Sequence, residues 1–204
     1  MGASMQGAKD SVALAKKYPF VYAAVGIHPD HAKDLNEEEF AVLKKLAAEE
    51  KVVAIGEIGL DYACEVDRTR QEELFCRQLE IAQRTGKPIV LHCVKAFEPT
   101  MNLLLRYFLK TVIFHGFIGS KEQAEAAIKR GYFLSFGHRT ARSPKSIEAL
   151  RATPLSQLFV ETDESGLSIE DIYREIAHLR GVSTEELIAA THENWNRIFS
   201  KADE

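Results

Sequence analysis

The chain is short of cysteine, of excess positive charge, of long apolar runs and of linker-like stretches. Its three cysteines, Cys64, Cys76 and Cys93, are an odd set without paired metal-ligand spacing. That argues against a disulfide framework and for reduced thiols in a reducing compartment. No apolar run approaches the ~20 residues that cross a bilayer, and the first residues lack a basic stretch followed by an apolar core, so no membrane partner and a cytoplasmic location are expected. The formal net charge is -4. Such a balance offers no general attraction for nucleic acid, so a phosphate-bearing partner must be held by a metal or a local basic cluster. With no low-complexity segment to divide it, the chain reads as one domain over residues 1–204. Its 46% hydrophobic and 27% charged residues suit a soluble fold with one full core.

What is present is an alternation of strand-like and helix-like segments with turn chemistry at each switch. Strands are expected at 22–27, 52–58, 89–92, 112–117, 132–136 and 157–161. Between them, Asn36 with Glu39 and Ser120 with Gln123 have the spacing of capping boxes, and Thr69 with Glu72 has the same form. Gly86 and Gly131 stop helices, and Ser143-Pro144 starts one. Ser168 with Asp171 and Ser183 with Glu186 open the last two. Residues 2–17 read as a turn and a helix bearing Val12, Leu14 and Ala15. Six parallel strands are two fewer than a closed (β/α)8 barrel requires, so an incomplete TIM-type α/β barrel is expected, with an open doubly wound sheet as the competing architecture.

Five of the apolar runs end in residues that bind divalent metals. Val25-Gly26-Ile27 leads to His28, Val53-Ala54-Ile55-Gly56 to Glu57, Ile89-Val90-Leu91 to His92, Val112-Ile113-Phe114 to His115, and Leu158-Phe159-Val160 to Glu161-Thr162-Asp163. In a parallel barrel the carboxyl ends of the strands share one mouth, so ligands distant in sequence become neighbours. His28 before Pro29 also suits a loop residue bonded to backbone, and His31 reads as a solvent-facing one. Asp61 is open between orienting a ligand and forming a turn. His138 and Arg139 follow the strand ending at Phe136 and are candidates for phosphate contact. His178 and His192 fall on helices and are set aside.

The segments Gly26-Ile27-His28-Pro29-Asp30, Gly56-Glu57-Ile58-Gly59-Leu60-Asp61-Tyr62, Lys87-Pro88-Ile89-Val90-Leu91-His92, His115-Gly116-Phe117 and Glu161-Thr162-Asp163, with Gln71, Phe75 and Gln78 between them, resemble the TatD-like metal-dependent DNases, a branch of the amidohydrolase-type barrels. The resemblance spans nearly the whole chain. It implies a hydrolase of phosphodiester bonds, DNA foremost, whose centre holds one or two divalent ions (zinc, magnesium or manganese) and whose nucleophile is a metal-activated water. Glu57 would bridge the ions, His92 and His115 would hold one, and Asp163 would hold the other and accept a proton; Glu57 and Asp163 are thus the catalytic pair. Lys95 stands where family members place a basic residue near the substrate phosphate. The family's His-x-His pair on a first strand has no counterpart here, so the chain is read as shortened at its amino terminus. Two expectations follow: self-association through an exposed sheet edge, and, as the alternative function, a catalytically impaired or non-catalytic member.

Overall fold

Ser4 opens the first helix by accepting from the Gly7 N–H, and α1 (Met5–Lys17) follows in the computed structural model, which describes residues 1–33 and 36–199. The next elements are β1 (Ala23–Val25), α2 (Glu37–Ala47), β2 (Val52–Asp61), α3 (Arg68–Thr85), β3 (Ile89–Val94) and α4 (Phe97–Leu104). They belong to a compact unit, Met1–Val112. The second unit, Ile113–Glu204, takes up the chain within β4 (Val112–Phe114) and continues through α5 (Lys121–Lys129), β5 (Phe133–Phe136), α6 (Pro144–Ala152), β6 (Leu158–Val160), α7 (Ile169–Arg180) and α8 (Thr184–Phe199). The expected α/β alternation with six parallel strands is what folds.

In the first unit β1 pairs with β2 and β2 with β3, all parallel. Apolar residues on both faces of these strands, among them Val25, Ile55, Ile58, Leu60, Ile89 and Leu91, are buried and meet Phe75 and Leu79 in the core. Side chains of this kind stabilise by roughly 1.5–3 kcal/mol each when fully buried. α3 supplies Leu74, Phe75, Leu79, Ile81 and Ala82 from one stripe, all buried as the 3.6-residue period requires. The backbone of Gly2 and Ala3 runs beside β1: Gly2 N donates to Ala24 O at 3.0 Å, and His28 N donates to Ala3 O at 2.8 Å.

The register between β2 and β3 shifts between Ile55 and Ile58, where β2 carries one residue more than its partner. Glu57 lies in that irregular stretch, and such a bulge re-aims a side chain. Beyond it, Gly59 pairs with His92 at φ +144, and a Cβ there would sit 2.0 Å from His92 O. Only glycine permits that approach of β2 to the strand that carries His92.

In the second unit β4 pairs with β5 and β5 with β6, again parallel. Asn194 on α8 donates to Leu155 O at 2.8 Å and to Leu158 O at 2.9 Å, which ties the last helix to the start of β6. The boxes at Asn36/Glu39 and Ser120/Gln123 form as the spacing predicts, and Ser143 and Ser168 cap their helices. Two local readings are corrected. α3 is capped by Asp67, whose carboxylate accepts from Arg70 N at 3.1 Å, two residues before Thr69. Leu14 is 52% exposed, the buried face of α1 being Ala8, Val12 and Ala15. No helix among the described residues is long and apolar enough to cross a membrane.

Candidate metal centres

Among the described residues, each unit carries a three-residue group of histidine and carboxylate side chains at the ends of its strands. In the first unit His28 follows β1, Glu57 and Asp61 lie on β2, and His92 lies on β3. His92 is held between two carboxylates: Nδ1 is 2.8 Å from Glu57 Oε1 and Nε2 is 3.1 Å from Asp61 Oδ2. His28 Nε2 is 3.9 Å from the same Glu57 oxygen, and its ring meets that of His92 edge-on at 4.2 Å between centroids. His28 Nδ1 also accepts from Asp30 N at 3.3 Å, so the loop role and a place in the cluster coexist. His28, Glu57 and His92 each offer one ligand atom, and these lie within 4.8 Å of one another.

Two buried amides set this cluster. Gln78 Oε1 accepts from Ile27 N at 2.8 Å and its Nε2 donates to Ile27 O at 3.0 Å, fixing the backbone next to His28. Gln71, two turns earlier on the same face of α3, accepts from Asp61 N at 2.8 Å and donates to Asp61 O at 2.8 Å and Val66 O at 2.9 Å. One helix thereby fixes the ends of two strands. The electrostatics divide the two imidazoles. Burial opposes charge on His92, but hydrogen bonds and charges from Glu57 and Asp61 outweigh it, and its pKa is raised. Burial and the neighbouring His92 push His28 down, with Glu57 and Asp30 opposing in part.

In the second unit His115 follows β4, and Glu161 and Asp163 follow β6. His115 Nδ1 is 2.9 Å from Glu161 Oε2, and Nε2 is 3.3 Å from Asp163 Oδ1. The other oxygen of Glu161, Oε1, is buried with no hydrogen-bond partner among the described residues. A lone carboxylate oxygen is costly to bury, and a cation is a fitting partner for it. Gly116, at φ +52, keeps the space beside it open, since a Cβ there would lie 3.4 Å from Glu161 Oε1 and 3.6 Å from Asp163 Oδ2. Asp163 and Glu164 adopt φ of 36° and 54°, sparsely populated by residues with a side chain. Imidazole with carboxylate is a donor set that zinc, manganese and, through its oxygens, magnesium accept.

Within the first unit Glu57 stands with His92, and within the second His115 stands with Asp163. His28 and Glu161 complete the groups. Among the expected substrate contacts, Lys95 is exposed just past β3, at φ 51°. His138 and Arg139 line a cleft of about 280 Å³ in the second unit together with Glu161, Asp163, Thr140 and Arg142.

Over residues 1–200 the chain matches the family model described as TatD related DNase. The chain belongs to that family. It is 35% identical to the uncharacterized metal-dependent hydrolase YabD of Bacillus subtilis (strain 168), over 91% of this chain and 80% of that protein. It is 29% identical to the 3'-5' ssDNA/RNA exonuclease TatD of Erwinia tasmaniensis, over 98% of this chain and 86% of that protein. Among solved structures, the TatD homologue YJJV of Escherichia coli K12 superposes with a TM-score of 0.87 at 28% identity, covering 94% of this chain and 82% of that one. The fold class expected of a TatD-type α/β chain agrees with this likeness.

Proposed function

We propose that this member of the TatD-related family is a divalent-metal-dependent hydrolase of phosphodiester bonds, acting on ends or short stretches of nucleic acid. Support comes first from the buried, unpartnered Oε1 of Glu161 beside His115 and Asp163. An unpaired buried carboxylate oxygen calls for a partner, and a bound cation is one that suits its charge. Further support comes from the family and from relatives named as a metal-dependent hydrolase and a 3'-5' ssDNA/RNA exonuclease.

In this reading Glu57 and His92, joined by His28, and His115 and Asp163, joined by Glu161, are the ligands, with zinc, magnesium or manganese as the ion. When bound, such an ion supplies a Lewis acid for phosphoryl oxygens and water acidic enough to attack near neutral pH. The chain's own residues do the rest. Asp163, whose Oδ2 is 3.8 Å from Arg139 Nη1, accepts a proton from the attacking water. Asp61 orients the His92 ring by its contact with Nε2. Lys95, His138 and Arg139 belong to substrate binding, which an overall charge of -4 leaves to local groups. The three free thiols accord with a cytoplasmic setting, and pairing of second copies along a sheet edge stays part of the proposal.

The test is removal and return of metal. Purified protein is analysed for bound zinc, manganese and magnesium, stripped with EDTA, and assayed on a labelled single-stranded oligonucleotide before and after each ion is restored. Cleavage that vanishes on stripping and returns with one of the ions is expected. Undiminished cleavage in EDTA would contradict the reading, and absence of both binding and cleavage would favour a non-catalytic member.

A further inference from the structure

Two arginines line the cleft of the second unit, and their partners differ. Arg139 stands 3.8 Å from Asp163. Arg142 donates through Nη2 to His138 Nε2 at 2.8 Å, and no carboxylate pairs with it among the described residues. A guanidinium can only donate, so Nε2 of His138 must accept. The ring proton then sits on Nδ1, which faces Glu175 Oε2 at 3.0 Å. Glu175 on α7, His138 and Arg142 thus form a chain of oriented hydrogen bonds that ends in a guanidinium on the cleft wall. Both nitrogens of His138 are engaged by protein.

We propose that Arg142, oriented by His138 and Glu175, is an anion subsite that takes a phosphate of a single nucleic-acid strand next to the bond being hydrolysed. The inference rests on the phosphodiesterase reading and extends it. A planar fork of N–H donors matches phosphate oxygens, and a neutral imidazole orients that fork without cancelling its charge. Arg139 is drawn towards Asp163, so among the described residues of this wall Arg142 is the cation that has no carboxylate partner and can answer an incoming phosphate. The need for one is plain from the other lining residues: Glu161, Asp163 and Glu164 repel a polyanion. At about 280 Å³ the cleft is just below the ~300–1,000 Å³ typical of small-molecule sites. That size suits one sugar-phosphate unit. His138 is then a positioning residue whose contact with substrate runs through Arg142.

The full chain is titrated with a fluorescein-labelled, single-stranded phosphorothioate oligonucleotide, which resists hydrolysis, and anisotropy is followed at several salt concentrations. Arg142→Ala should weaken binding about tenfold and make the salt dependence shallower by about 0.7 in log–log slope, as loss of one phosphate contact on a single strand requires. Arg142→Lys should keep the slope while recovering only part of the affinity. His138→Ala and Glu175→Gln should weaken binding in the same direction by a smaller factor. Lys9→Ala, which removes the same charge from an exposed face of α1, should bind as wild type. Melting curves check that each variant is folded, and Arg142→Lys carries the test if the alanine variant is not. Unchanged affinity and slope in both Arg142 variants, an equal loss in Lys9→Ala, or no binding by wild type would overturn the proposal. A failure of the hydrolase reading looks different: normal oligonucleotide left uncut while this binding pattern persists.

Discussion

Gln78 holds Ile27 by both its backbone groups, accepting from the N–H at 2.8 Å and donating to the carbonyl at 3.0 Å. The amide is fully buried on α3, and the residue it grips precedes His28. A side chain 51 positions away in sequence thus sets where a candidate ligand leaves its strand.

Gln78→Met keeps the volume and removes both contacts. Two buried backbone groups then lack partners, each worth about 1–3 kcal/mol, so urea denaturation should show a loss of roughly 2–6 kcal/mol. Cation affinity at the His28 cluster should fall in calorimetric titration. A stability change under about 0.5 kcal/mol, the range of an ordinary surface substitution, would show that the grip does not matter.

The opposed shifts of the two imidazoles give a pH prediction for chelator-treated protein. Burial lowers His92, yet Glu57 and Asp61 together raise it above 6.5, while burial and His92 carry His28 below 6.5. A raised folded-state pKa contributes stability that is present below the unfolded value and lost as pH rises through the folded one. The stability gap between wild type and His92→Asn should therefore be larger at about pH 6 than at about pH 9. Imidazole NMR should find His92 titrating above His28. Protons also compete with cations for His92, so metal affinity should rise with pH over the same interval. The reverse order of the two midpoints would refute the assigned electrostatics.

Gly116→Ala places a methyl group 3.4 Å from Glu161 Oε1 and 3.6 Å from Asp163 Oδ2, at a φ of +52°. The left-handed backbone costs about 1–2 kcal/mol with a side chain. Thermal unfolding should show that modest loss, and metal titration a fall of about tenfold or more in affinity, because the methyl occupies the space those oxygens face. Wild-type affinity in a destabilised variant would mean that the glycine serves the turn alone.

Much of this architecture is legible in the sequence because it rests on local chemistry. Side-chain caps at Asn36, Ser120, Ser143 and Ser168 act within three residues, and the apolar runs mark strands whose two faces are both buried. Thr69 with Glu72 imitates a capping box, but β2 runs on to Asp61 and Asp67 reaches the free N–H groups first. α4 leaves a faint signal, since its first residues include Pro99 and Ala96 provides no side-chain cap. The boundary between the two units falls within the apolar run of β4, where no linker chemistry announces it. For the site, the strand-end position points to Glu57, His92, His115 and Asp163. Glu161 stands in the same run as Asp163, but only the fold shows that its carboxylate meets His115 Nδ1 at 2.9 Å while Asp163 takes Nε2. His28 is ambiguous in sequence for a physical reason: its Nδ1 does the work of a loop cap and its Nε2 faces Glu57.

Glu57 is the group on which the proposed chemistry turns, because its Oε1 faces both His92 and His28. Glu57→Gln changes one oxygen to an amide and removes one negative charge at nearly constant volume. Loss of a ligand of this kind should cost on the order of a hundredfold or more in metal-supported rate. The direct measurement is cleavage of a single-stranded oligonucleotide by wild type and Glu57→Gln at saturating manganese or magnesium, with circular dichroism confirming the fold of both. Metal-dependent cutting by wild type and none above background by the variant is expected; equal rates from the two would refute the role of Glu57.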